Sequence, residues 1–312
     1  MNRPVLLLFL LPFLAGLLLT STVNVWAEPN NFDFGVIAHT FQLDAHKNLL
    51  QQTINASNAE NLAFVVVNGI KSSTESCSDN VYSRSRKIFS RSENALIISL
   101  AASDWADCKT KNGKSIAIQK LNRARELFFS GDVSFGSTSI TLVRQTSSAK
   151  FRSYAENARW EYGNVLFATV NLPVDNNHYL PDAGRNSEFE DRLIANREWL
   201  ERIFIHAAQR KNQAIVLFCD GNPLVVPNAV KLSKLAGRRD GFIEARKQLT
   251  ALAKKFPGKL LLLHSDAQAK PDTLHWQANI GSLGLRTGWA KISVRPASRT
   301  LFRLATSSST ID

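Results

Sequence analysis

The chain has 312 residues, 44% apolar and 21% charged, with no low-complexity tract. That excludes a chain too small for a core and allows one large or two modest domains. The formal net charge of +12 suits either a solvated basic surface or one that meets anions such as acidic lipid head groups, polysaccharide or nucleic acid. Lys and Arg are spread along the chain, with one loose cluster at Lys231, Lys234, Arg238 and Arg239. No nucleic-acid motif accompanies them.

In chain order, Met1–Ala27 has the form of a secretory signal: Arg3, then the Leu-rich run Val5–Leu19, then a less apolar stretch ending at Ala27. Cleavage before Glu28 is expected, leaving one domain over 28–312. An uncleaved segment would give the protein its only membrane contact, because no later run is long enough to span a bilayer. Either way the body is expected outside the cytosol, periplasmic or secreted.

Strands are predicted at Asn31–Ile37, Leu62–Val67, Ala95–Leu100, Val165–Val170, Ala214–Phe218 and Lys259–His264. Helices are predicted at Leu43–Ile54, Asn80–Ser90, Ile116–Phe129, Glu190–Arg210 and Arg239–Phe256, the last stopped by Pro257-Gly258. Gly131–Lys150 is Ser/Thr-rich and reads as a surface excursion with one short strand at Ile140–Val143. Asn171–Arg185 reads as loop, and Trp289–Val294 and Thr300–Leu304 as closing antiparallel strands. Strands alternating with helices predict a layered α/β domain with a mixed sheet or two packed sheets. There is no internal repeat.

Three cysteines are present. In an oxidising compartment a pair is expected to close. Cys77 and Cys108 bracket an Arg-rich helix between two strands, so a Cys77–Cys108 disulfide is predicted, with Cys219 reduced. The spacing matches no thiolate zinc motif.

The stretch Asn68-Gly69-Ile70-Lys71-Ser72-Ser73, then Cys77-Ser78-Asp79, then Ala101-Ala102-Ser103-Asp104-Trp105-Ala106-Asp107-Cys108 resembles the calcineurin-like metallophosphoesterases, in particular an exported bacterial branch with GDIKSG, CSD and GDNEWTDC. Asn164–Thr169 with Asn176-Asn177, Ala214–Phe218 with Asn222-Pro223, and Leu261–Asp266 are similar to its later strands and its final HGDTH. The resemblance covers most of the chain after residue 27. It implies a layered metallophosphoesterase-like sandwich of mixed sheets flanked by helices.

The ligand positions depart from that pattern. Ala38-His39, Asn68-Gly69 and Ala101-Ala102-Ser103 stand where Gly-Asp, Gly-Asp and Gly-Asp-Asn are expected. Asn171 and Gln268 stand where histidines are expected, and only His264 and Asp266 of the last segment are unchanged. Two dications about 3.5 Å apart repel by roughly 20 kcal/mol at an effective dielectric of 20, and carboxylates must offset that. One carboxylate, Asp266, is a poor home for two hard cations.

The expectation is therefore an exported, degenerate phosphoesterase-like protein with no metal cofactor. It would act by binding an anionic, phosphate-bearing ligand or a protein partner. The alternative is an active phosphoesterase with one divalent metal, Zn or Mn, on His39, His264 and Asp266. Asp104 and Asn171 are its candidate catalytic residues. Beside Trp105, Asp104 reads more often as a structural cap or turn carboxylate than as a residual acid, and Asp79 and Asp107 read as supports beside the disulfide. Asn176, Asn177 and His178 face substrate in the family or are ordinary turn residues.

Overall fold

The computed structural model describes residues 31–38, 49–180, 186–226, 239–265, 273–285 and 288–308. The strands are β1 (Phe32–Ala38), β2 (Val65–Asn68), β3 (Leu96–Ser99), β4 (Val143–Arg144), β5 (Ala158–Tyr162), β6 (Val165–Thr169), β7 (Ala214–Phe218), β8 (Lys259–His264), β9 (His275–Gln277), β10 (Ile280–Gly284), β11 (Trp289–Val294) and β12 (Phe302–Ser308). The helices are α1 (Leu49–Asn58), α2 (Asp79–Phe89), α3 (Ala117–Phe128), the short α4 (Val174–Asn177), α5 (Ser187–Gln209) and α6 (Ile243–Lys255).

The strands form a five-stranded sheet, β12-β11-β1-β2-β3, and a seven-stranded sheet, β4-β5-β6-β7-β8-β10-β9. Both are mixed. β1, β2 and β3 are parallel, with β11 and β12 added antiparallel. β6, β7, β8 and β10 are parallel, with β5 and β9 antiparallel at the flanks.

Period-two alternation sorts the strand residues between layers. Phe64 and Val66 point inward against Trp160, Phe167 and Phe218 of the other sheet. Val65 and Val67 point outward onto Leu50, Tyr82, Phe89 and Leu121 of α1, α2 and α3. In the second sheet Leu166, Ile215 and Leu260 pack on Trp199, Ile203 and Leu249 of α5 and α6. The result is four layers, helix, sheet, sheet and helix. Strands covered on both faces explain the unbroken apolar runs of the sequence.

Several boundaries differ from expectation. The predicted strand at Ile140–Val143 is displaced to Val143–Arg144, because Thr141 makes only an isolated bridge to Val133. β5, β9 and β10 carry weak or interrupted apolar patterns and were not predicted; His275–Gln277 is exposed throughout. α6 begins four residues late, since Arg239–Phe242 holds a turn against α4. Residues 1–27 and the first part of the predicted helix Leu43–Ile54 lie outside the described residues. Cys77 and Cys108 form the disulfide, with Cα atoms 5.8 Å apart, and Cys219 is buried and stands outside it, its thiol donating to the Gly221 carbonyl at 3.1 Å.

The ring of Phe64 lies 5.4 Å from Phe34, 5.5 Å from Trp160 and 4.8 Å from Phe167. It is fully buried between the sheets. Phe64→Ala is expected to lower unfolding free energy by about 3–5 kcal/mol, and Phe64→Leu by about 1–2 kcal/mol, in urea denaturation.

Candidate functional site

The parallel strands of both sheets bring their C-terminal ends together, which is where α/β sheets place sites. The sheets touch there: Asn68 Nδ2 donates to the Cys219 carbonyl at 3.2 Å. Between them, among the described residues, lies a cavity of about 10 Å³ lined by Val36, Asn68, Phe218, Leu263, His264 and Leu285. That holds one water at most. His264 is buried, and its Nε2 lies 3.0 Å from Asn222 Nδ2 and 3.2 Å from Ser282 Oγ.

Asp104 sits in the turn after β3, fully buried. Its Oδ1 accepts from the backbone N–H of Ile70 at 2.8 Å and of Lys71 at 3.1 Å, and its Oδ2 from that of Ala101 at 2.8 Å. One carboxylate thus ties the loop after β2 to the end of β3. Burial pushes its pKa up to about 7, against the opposing pull of the Ala101 N–H, the Lys71 charge and the N–H groups of Ile70 and Lys71. Lys71 is also buried, and Nζ donates to the carbonyls of Ser72 at 2.9 Å and Glu75 at 2.7 Å. Burial lowers its pKa, while Asp104, Glu75 and Asp107 pull it back up.

Asp220, just past β7, makes the matching clamp. Oδ2 accepts from the N–H of Ala102 at 2.7 Å and of Val174 at 3.0 Å, and Oδ1 accepts from Ser265 Oγ at 2.6 Å. It thereby joins the loops after β3, β6, β7 and β8. Burial raises its pKa, against the Ser265 hydroxyl and the two N–H groups.

Beside this junction lies a strained turn. Asp175, Asn176, Asn177 and His178 all have positive φ, between 51° and 60°. Non-glycine residues enter this region at roughly 1–2 kcal/mol each. Side-chain bonds hold them there. Asn176 Nδ2 donates to Arg239 O at 2.9 Å, and Asn176 Oδ1 accepts from Gly241 N at 2.8 Å. A Cβ on Gly241 would collide with the Asn176 carbonyl oxygen. Buried Arg192 places all five N–H donors: on Glu188 through Nε and Nη2, on Asn177 through Nη1 and Nη2, and on the Asn171 carbonyl through Nη1. Asn171 Nδ2 donates to Glu156 at 3.0 Å, and Glu156 accepts both forks of Arg125. The His178 ring lies 4.8 Å from that of Trp105. Burial lowers the His178 pKa; Glu188 raises it and Arg192 lowers it further.

The candidates from sequence divide as follows. His39, Asp266 and Gln268 lie outside the described residues; so do His46, Lys231, Lys234 and Arg238. His264, Asp104 and Asn171 gather at the strand ends. Asp104 has no exposed oxygen, and Asn171 Oδ1 is buried with no hydrogen-bond partner. Asp79 is exposed and bridges α2 to Lys120 and Arg123 of α3 at 3.1 Å each. His206 pairs with Glu161 at 2.7 Å, and His275 is exposed on β9. Among the described residues no three His, Cys, Asp or Glu side chains cluster as metal ligands. Asp220, Lys71, Glu156 and Arg192 were missed. Asp220 could have been found, because it follows a confident strand by two residues. Arg192 and Asn196 fall in register with Phe189, Trp199 and Ile203 on the buried stripe of α5.

No family model and no curated protein matches the chain. Among solved structures, a phosphatase from Mycoplasma pneumoniae is similar at a TM-score of 0.39 and 10% identity, covering 82% of this chain and 73% of that one. Likeness of that degree assigns no residue a role.

Two outcomes are expected from the clamps. Asp220→Ala leaves two buried N–H groups without acceptors and should cost about 2–5 kcal/mol in denaturant unfolding. Asp220→Asn keeps one acceptor for them and a donor for Ser265 Oγ, and should cost about 1 kcal/mol. Asp104, raised to about 7, holds a proton in the folded chain that the unfolded chain loses near pH 4. Its stabilising contribution is therefore full below pH 4 and is lost as pH rises toward 7. Unfolding free energy should fall by about 2 kcal/mol between pH 5 and 7, and Asp104→Asn should flatten that slope.

Proposed function

We propose that the protein is an exported binding protein on a metallophosphoesterase-like frame whose dinuclear metal centre is lost. Its ligand is anionic and phosphate-bearing. The observation that carries this is how the strand-end carboxylates among the described residues are used. Asp104 and Asp220 direct their oxygens at five backbone N–H groups and one hydroxyl, leaving none to bridge two dications. Gly69, at the position of the bridging aspartate in the resemblance, has φ +93°, where a side chain is strained. Among the described residues the side chains at the junction do not fit a two-metal group, so no hydrolytic step is assigned to them. The net charge of +12 suits an anionic partner.

The disulfide alone supports the location. A disulfide persists in oxidising compartments. Among the described residues no helix is long and apolar enough to cross a membrane.

The deciding measurement is the metal content of the purified protein after Mn²⁺ or Zn²⁺ loading, with phosphomonoester and phosphodiester assays alongside. Far less than one metal per chain and no turnover are expected. Two metals per chain with hydrolysis would overturn the proposal. One metal, lost in His264→Ala, would replace it with the mononuclear enzyme on His39, His264 and Asp266.

A further inference from the structure

A cationic stripe runs along α2 and its C-terminal turn. Ser83, Arg86, Lys87, Ser90 and Arg91 recur at helical spacing and are exposed, opposite the buried Val81, Tyr82, Ser85 and Phe89. With Leu127 of α3 they line a cleft of about 440 Å³. No carboxylate lines it. The neighbouring cations are all matched: Arg84 with Glu75, Lys120 with Asp79, and Arg123 with Asp79 and Glu126. Among the described residues Arg86, Lys87 and Arg91 form no ion pair. Arg86 Nε donates to the Leu127 carbonyl at 3.0 Å, which orients its guanidinium at the cleft wall. The negative end of the α2 dipole favours positive charge here. It does not account for three unmatched cations around one hollow.

We propose that this cleft binds a multiply charged oxyanion, a compound bearing two or more phosphate or sulfate groups. Guanidinium forks match oxyanion geometry, and the Lys87 ammonium adds a movable point charge. Lys87 and Arg91, four residues apart, repel one another, and the attraction of each to a bound anion offsets that repulsion. The hollow is several times the size of a single phosphate group, so it suits a polyanion over a lone ion. The proposal rests on the anion-binding reading above. Its site is separate from the strand-end junction, so the metal measurement and the one below can fail independently.

The test is titration calorimetry of the full protein with inositol hexasulfate, whose esters are not phosphoesterase substrates. Binding of one molecule per chain, weakening with added salt, is expected. Arg86→Gln/Arg91→Gln should weaken it at least tenfold. Lys87→Gln/Arg91→Gln, which keeps the Arg86–Leu127 bond, should also weaken it at least tenfold. Lys254→Gln/Lys255→Gln removes the same charge from exposed positions on α6 and should change affinity less than twofold. No binding to the unaltered protein, or equal weakening in the α6 variant, would overturn the proposal.

Discussion

The fold depends on where the backbone N–H groups at the ends of its parallel strands find acceptors. Loops leaving a buried sheet junction expose donors that neither strand pairing nor water can satisfy. Here two aspartates supply the oxygens, Asp104 for Ile70, Lys71 and Ala101 and Asp220 for Ala102 and Val174. Each buries a carboxyl in a low-dielectric setting, which is why both pKa values move up. The arrangement still favours folding, because removing either acceptor would strand several donors at once. A carboxylate so engaged is a structural tie, and releasing it to a cation would unfasten the loops it holds.

The same constraint reaches the turn after β6. Val174 is held by Asp220, and the chain turns directly after it. It does so through four residues in left-handed geometry. The strain persists because Arg192, Asn177, Asn176 and Gly241 over-determine the turn. Buried Arg192 is tolerated for the same reason: Glu188 balances its charge and every donor has a partner. The turn and the first part of α5 therefore stand or fall together.

The layers were legible in the sequence because each buried strand reads as an apolar run and each helix shows one apolar stripe. The disulfide was legible because only one cysteine pair brackets a single helix. β9 and β10 were not, because Trp276 is a third exposed and glycines interrupt β10. The site was legible only as a set of missing ligands. What replaced them depends on contacts between residues such as Asp220 and Ala102, 118 positions apart, and no local pattern encodes those. Arg192 was visible as a charge in an apolar stripe with Glu188 one turn before it, but its partners Asn171 and Asn177 emerge only once the left-handed turn folds back on α5.

A junction whose polar groups are tied to one another leaves the proposed recognition to the outer faces. The α2 face is the best held of these. Its N-terminus is fixed by the Cys77–Cys108 disulfide, by the Ser78 cap on Val81 and by Asp79 reaching across to α3. Its far end is fixed by the Arg86 bond to Leu127. Gathering like charges in one place costs free energy, and the helix has met that cost on folding. A ligand that brings the opposite charge finds Arg86 already oriented by its bond to Leu127, which spares part of the ordering cost on binding. The Tyr82 hydroxyl, which donates to the Asp104 carbonyl at 2.6 Å, sits on the inner face of this same helix. The clamp that closes the strand ends and the surface that carries the charge are therefore two sides of one element.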